Sequence, residues 1–189
     1  MSKNQALITN PIVKPTQLLT SLQSGQNLRI TSPRGSAVII CHSHHADLAG
    51  PGAAVGGMLD TDCRRVIPIG KLALQYPEIS SDRQKAFKIR QRWIQAIQKV
   101  TLNPMPLQRA KILLVMLEKY CGLVSLQNVP DEVLAQLVGV LPQTMTAARQ
   151  VVTAATKKAQ KDILPNNSIK VSPTSKKNSA AKQLNYQPR

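Results

Sequence analysis

The chain is short of aromatic side chains, of acidic residues and of long apolar runs. Only 3% of its 189 residues are aromatic against 42% hydrophobic overall, so any core it builds must be aliphatic. It has 9 Asp plus Glu against 25 Lys plus Arg, a formal net charge of +16. That imbalance argues against cationic partners and favours polyanions: DNA, RNA or an acidic membrane surface. No run reaches the roughly 18 apolar residues that a membrane span needs. The first residues, MSKNQALITNPIVKPTQ, lack the apolar centre of a secretory signal. Three cysteines, Cys41, Cys63 and Cys121, are odd in number and widely spaced. They do not describe a disulfide scaffold and fit a reducing cytoplasm.

Motifs for several enzyme classes are also missing. The chain has no G-x-S-x-G nucleophile elbow. The glycine-rich GPGAAVGG, residues 50–57, lacks the lysine and hydroxyl of a phosphate-binding Walker loop, and reads as a loop or a close backbone approach. The run HSHHAD resembles the His-x-His-x-Asp-His of metallo-β-lactamases. Asp47, however, falls one position late, and no histidine follows His45 anywhere in the chain. The residues therefore predict a non-enzyme with no cofactor.

What is present falls into four segments. Residues 1–26 read as an irregular arm with one short helix near 16–22. Residues 27–78 read as a small β-rich or mixed unit. Within it NLRI, the apolar run Val38–Ile40 and Arg65–Ile69 are the strand candidates. From residue 79 the periodicity becomes helical. Ala86, Ile89, Trp93, Ile97 and Val100 form one stripe over 82–101, with Ser81 as its N-cap. Arg83, Lys85, Lys88, Arg90, Arg92 and Lys99 read as its solvated face, open to phosphates. Asn103–Pro106 ends that helix. Leu107, Ala110, Leu114, Leu117 and Cys121 mark the next, over 106–121, closed by Gly122. The helical unit extends to 161. Residues 162–189 read as a disordered basic tail: from Lys157 onward there are eight basic residues and one acidic. The expected fold class is mainly α, with a small β-rich or mixed N-terminal unit.

The most informative stretch is Asp131–Arg149, DEVLAQLVGVLPQTMTAAR, within a motif spanning 130–150. Leu134, Leu137 and Val138 make one face of a first helix. Ala135 is small where a second helix would cross, and Gly139 accepts positive φ without steric cost. Val140, Met145 and Ala148 supply the apolar contacts of the turn and second helix. Such spacing describes a helix-turn-helix, whose second helix enters the DNA major groove. Gln143, Thr144, Thr146 and Arg149 are its polar candidates for base or phosphate contact, and Lys157 and Lys158 for phosphate alone.

Residues 104–152 resemble the DNA-binding domain of the cyclic-AMP receptor protein and fumarate–nitrate regulator superfamily, through PLQRAKILLVMLEKYCG and the motif just quoted. The resemblance implies a bacterial-type transcriptional regulator, a strand-like piece at Leu123–Leu126 and a β-hairpin wing after the recognition helix. This chain departs from it. Leu141 stands where a capping serine or threonine is usual, and Ala147 where an arginine often reads guanine. VVTAATKKAQKDIL looks like continued helix in place of a wing.

The expected partner is double-stranded DNA, with a homodimer through helices 82–101 and 106–121 and no membrane association. An RNA-binding, nucleoid or ribosome-associated role is the alternative. A third reading is a metal-binding sensor or metal-dependent enzyme. Its zinc or other transition-metal ligands would come from Cys41, His42, His44, His45 and Cys63.

Overall fold

A computed structural model describes the backbone of residues 15–163 and the side chains of residues 17–155. The expected arm therefore lies outside the described residues up to residue 14, and the expected tail from residue 164 onward. Helix α1 (Pro15–Gln23) occupies the part of the arm within reach. It belongs to the core, because Leu18 and Leu22 are buried in one apolar cluster with Leu28, Ile30, Val38 and Ile40.

Six strands follow: β1 (Asn27–Ile30), β2 (Ala37–Cys41), β3 (Ala46–Ala49), β4 (Ala54–Gly56), β5 (Arg65–Ile69) and β6 (Leu74–Gln75). They form two antiparallel three-stranded sheets, ordered β4-β1-β6 and β3-β2-β5. The register of β2 pairs Ile39 with Leu48 on one side and Ile67 on the other. All five β2 residues are buried. Successive strand side chains point to opposite faces, so Ile39 and Cys41 enter one apolar cluster while Val38 and Ile40 enter another. A strand covered on both faces needs an unbroken apolar run rather than alternation. That is why AVIIC was legible.

Five helices follow among the described residues: α2 (Ser80–Thr101), α3 (Pro106–Cys121), α4 (Leu123–Leu126), α5 (Asp131–Val138) and α6 (Pro142–Ile163). The architecture is thus mixed α/β, with helix predominating and six short strands among the described residues, all before residue 79. One cluster joins Ala37, Ile39, Leu48 and Ile69 of the second sheet to Ile97, Leu113, Leu117, Leu134 and Met145 of the helices. Apolar packing therefore runs straight across the boundary expected near residue 79.

Four local expectations are corrected. Leu123–Leu126 is a single helical turn, not strand-like. It pairs with no strand among the described residues, and its Leu126 carbonyl accepts from Arg149 Nη1. The N-cap of α2 is Ile79, with no side-chain cap, and Ser81 lies inside the helix. Ala54–Gly56, expected as loop, pairs with β1 as an edge strand. Finally, Arg90 does not lie on the solvated face of α2: it is fully buried. The close approach expected in the glycine-rich stretch occurs at Gly50, where a Cβ would run into the Trp93 ring.

Candidate functional site

Two constellations stand out, one on the helices and one beneath the sheets. The first is the α5–α6 hairpin. Helix α5 ends at Gly139, whose φ of 60° and ψ of 52° are left-handed. The amides of Gly139 and Val140 both donate to the Ala135 carbonyl, closing the turn. Pro142 then opens α6, where its missing amide proton costs nothing. Leu134, Ala135, Val138, Met145 and Ala148 are all buried, with Val140 packed against them. Helix α3 packs on both members of the hairpin.

The polar residues expected on α6 have different surroundings. Gln143 is exposed and Thr144 half-buried. The Thr146 hydroxyl donates to Asp131 Oδ2 at 2.7 Å. Arg149 is the exception to the expected exposed role. Its Nε donates to Asp131 Oδ1 at 2.8 Å, and Nη1 and Nη2 donate to the Leu126 and Val129 carbonyls at 3.2 and 3.0 Å. The guanidinium thus ties α6 to α4 and to the start of α5, so the fork expected at a base is engaged inside the protein. Thr146, Ala147 and Gln150 are exposed beyond Gln143. Lys157 and Lys158 lie on the α6 backbone, but their side chains are outside the described residues.

The second constellation is a charge cluster. Arg90, with 0% exposure, donates through Nη2 to Asp47 Oδ2 at 2.8 Å and Asp60 Oδ1 at 3.1 Å. Asp60 is equally buried, and its Oδ2 accepts the Gly56 amide at 2.6 Å. Burial pushes the Asp60 carboxyl above the ordinary range, while Arg90, the Gly56 amide and His42 pull it back. Buried ionised groups persist only when paired in this way.

The buried His42 ring approaches the same acids from the other side. Its Nδ1 lies 2.7 Å from Asp62 Oδ1, which holds the exposed Asp62 carboxyl below its usual range. An ionised carboxylate can only accept, so Nδ1 carries a proton and donates it to Asp62. The ring's Nε2 has no hydrogen-bond partner and sits 3.7 Å from Asp60 Oδ1. His45 stacks on His42, with centroids 4.4 Å apart and planes 10° from parallel.

Of the five metal candidates read from the sequence, only His42 and His45 come together, and they do so with Asp47. The donor atoms of these three residues lie within 4.8 Å of one another. His44 is exposed outside that group, and Cys41 and Cys63 are buried in separate apolar clusters. Burial pushes both thiols up, Cys63 to about 11, which keeps them protonated at neutral pH. Arg90 was missed as a partner of this cluster. The spacing Ala86, Arg90, Trp93, Ile97 puts it on the apolar stripe, and a lone cation on such a stripe is the signal that could have found it.

No protein-family model matches the chain, and neither a curated protein nor a solved structure does. Among the described residues no helix is long and apolar enough to cross a membrane.

Proposed function

We propose that the chain is a sequence-specific DNA-binding transcriptional regulator that acts by binding alone, through a helix-turn-helix made of α5, the Gly139–Leu141 turn and α6. The observation that carries this reading is the inside–outside pattern of the hairpin. Leu134, Ala135, Val138, Met145 and Ala148 face inward around a left-handed Gly139. Gln143, Thr146, Ala147 and Gln150 are left exposed on the first turns of α6.

In this reading the start of α6 enters the major groove. Gln143 is placed to make a bidentate contact with adenine. The Gln143 amide at the α6 N-terminus suits a phosphate, and the Thr146 hydroxyl oxygen, its proton held by Asp131, can accept from a base edge. Arg149 acts as a positioning residue: by holding α6 to Asp131 it fixes the angle at which the helix is presented. Lys157, Lys158 and the basic residues beyond them neutralise phosphates, and the net charge of +16 supports strong polyanion attraction. Phe87, Leu107, Ile112 and Val115 are large apolar groups exposed on α2 and α3, which supports a homodimer through those helices. The free thiols Cys41, Cys63 and Cys121 suit a reducing cytoplasm.

The test is binding of the full chain to duplex DNA across a salt series, competed with single-stranded RNA, followed by genome-wide DNA capture. The reading expects steeply salt-dependent duplex binding and discrete genomic peaks. Preference for RNA points to an RNA-binding or ribosome-associated protein, and uniform genomic coverage to a nucleoid protein.

A further inference from the structure

We infer that His42, His45 and Asp47 form a binding site for one divalent transition-metal ion of the zinc class. The inference is independent of the DNA-binding reading. It starts from the buried His42 ring, whose side chain is 2% exposed and whose Nε2 lacks any hydrogen-bond partner. Burying an unpaired ring nitrogen is unfavourable, and such an atom calls for a ligand. The other ring nitrogen is held by Asp62 at 2.7 Å. A carboxylate that accepts from one ring nitrogen of an imidazole, and so fixes the direction of the other, is the arrangement that orients metal-ligating histidines.

The backbone brings the remaining ligands to the same place. The His42 amide donates to the His45 carbonyl at 2.9 Å across the β2–β3 turn. His45 immediately precedes β3, opposite His42, and Asp47 is the second residue of β3, opposite Ile40, which shares a face with His42. The donor atoms of the three residues already lie within 4.8 Å of one another. Arg90 takes up Asp47 Oδ2, leaving Oδ1 for an ion. Stacked rings aim their lone pairs in parallel, so His45 must tilt to join. It is exposed, and the tilt is cheap.

Three carboxylates stand at this place: Asp47 and Asp60 on the Arg90 guanidinium, and Asp62 on His42. Two imidazoles and one carboxylate suit zinc and its first-row neighbours rather than magnesium or calcium, which prefer all-oxygen sets. Three protein ligands leave a fourth position, on the solvent side with His45, for water.

The full chain, stripped with chelator, is titrated with Zn²⁺ by calorimetry and with Co²⁺ by visible absorption. One ion per chain is expected, with Co²⁺ ligand-field bands of tetrahedral intensity. His45→Ala, at an exposed position that leaves the fold intact by circular dichroism, should weaken binding at least about tenfold. Asp62→Asn should weaken it by roughly 10–100-fold, as loss of an orienting partner does. His44→Ala and Cys63→Ser should leave it unchanged. The site is refuted if the parent chain binds neither ion stoichiometrically, or if His45→Ala binds as tightly as the parent. It is equally refuted if His44→Ala or Cys63→Ser loses as much affinity as His45→Ala.

Discussion

Arg90→Ala isolates what the buried charge cluster contributes. The guanidinium is fully buried and makes two charge-assisted hydrogen bonds, to Asp47 and to Asp60. Asp47 is 25% exposed and can recover water, but Asp60 is at 0% and cannot. After truncation Asp60 Oδ1 faces a void, and only the Gly56 amide still serves the carboxylate directly. Leaving one member of a buried pair uncompensated costs about 3–5 kcal/mol. That is a large share of the roughly 5–15 kcal/mol that holds a domain together. With a urea slope of about 2 kcal/mol per molar, the unfolding midpoint falls by roughly 1.5–2.5 M. The loss also depends on pH. Burial already holds the Asp60 carboxyl above its usual range, and Arg90 is the strongest influence pulling it down. Without Arg90 its folded pKa climbs further above the unfolded value. The folded variant then retains a proton that the unfolded chain releases, so stability drops as pH rises through that window. The deficit relative to the parent is smallest below about pH 4 and grows toward neutrality. Urea titrations at several pH values measure it, and Arg90→Met combined with Asp60→Asn should recover much of the loss. A deficit under about 1 kcal/mol, or one that stays constant with pH, would refute the assignment of Arg90 and Asp60 as a mutually dependent ion pair.

At Gly139 a built Cβ meets nothing within 4 Å, so substitution there costs conformation alone. In urea unfolding Gly139→Asn should lose least, Gly139→Ala about 1–2 kcal/mol and Gly139→Val most; equal losses for Asn and Val would mean the φ of 60° is not the cause. In binding-site selection Gln143→Ala should relax one base position at about 1–3 kcal/mol, whereas Arg149→Ala should lower thermal stability and weaken binding to all sequences alike. An Arg149→Ala variant that stays stable but selects a different site makes Arg149 a base reader. Cys63 and Cys121, both pushed up to about 11, should label slowly with a thiol-exchange reagent at pH 8 and fully in denaturant; fast labelling of the folded chain contradicts the burial of Cys63 and the raised thiol of the half-buried Cys121. Because those pKa values exceed the ordinary 9.0, the folded state should lose stability as pH rises from about 9 to 11.

The sequence by itself determined the elements whose signal is local. The run Val38–Ile40 had to be a strand covered on both faces. The stripe through Ala86, Trp93 and Ile97 had to be a helix, and Gly122 and Gly139 had to end helices, because each depends on periodicity or on one residue's φ. The hairpin of α5 and α6 was legible for the same reason, its packing residues lying within a single short stretch. Tertiary structure alone decided the rest. Leu123–Leu126 is a helical turn whose Leu126 carbonyl is taken by Arg149, a partner its own four residues could not reveal. Arg149 and Arg90 carry the same charge as their exposed neighbours, and only the approach of Asp131, and of Asp47 and Asp60, draws them inward. His42 meets Asp62 across twenty residues, and Arg90 meets Asp47 across forty-three. A charged side chain is buried or solvated according to whether a counter-charge arrives from elsewhere in the chain; spacing can flag a stripe position such as Arg90, but it does not name the partner.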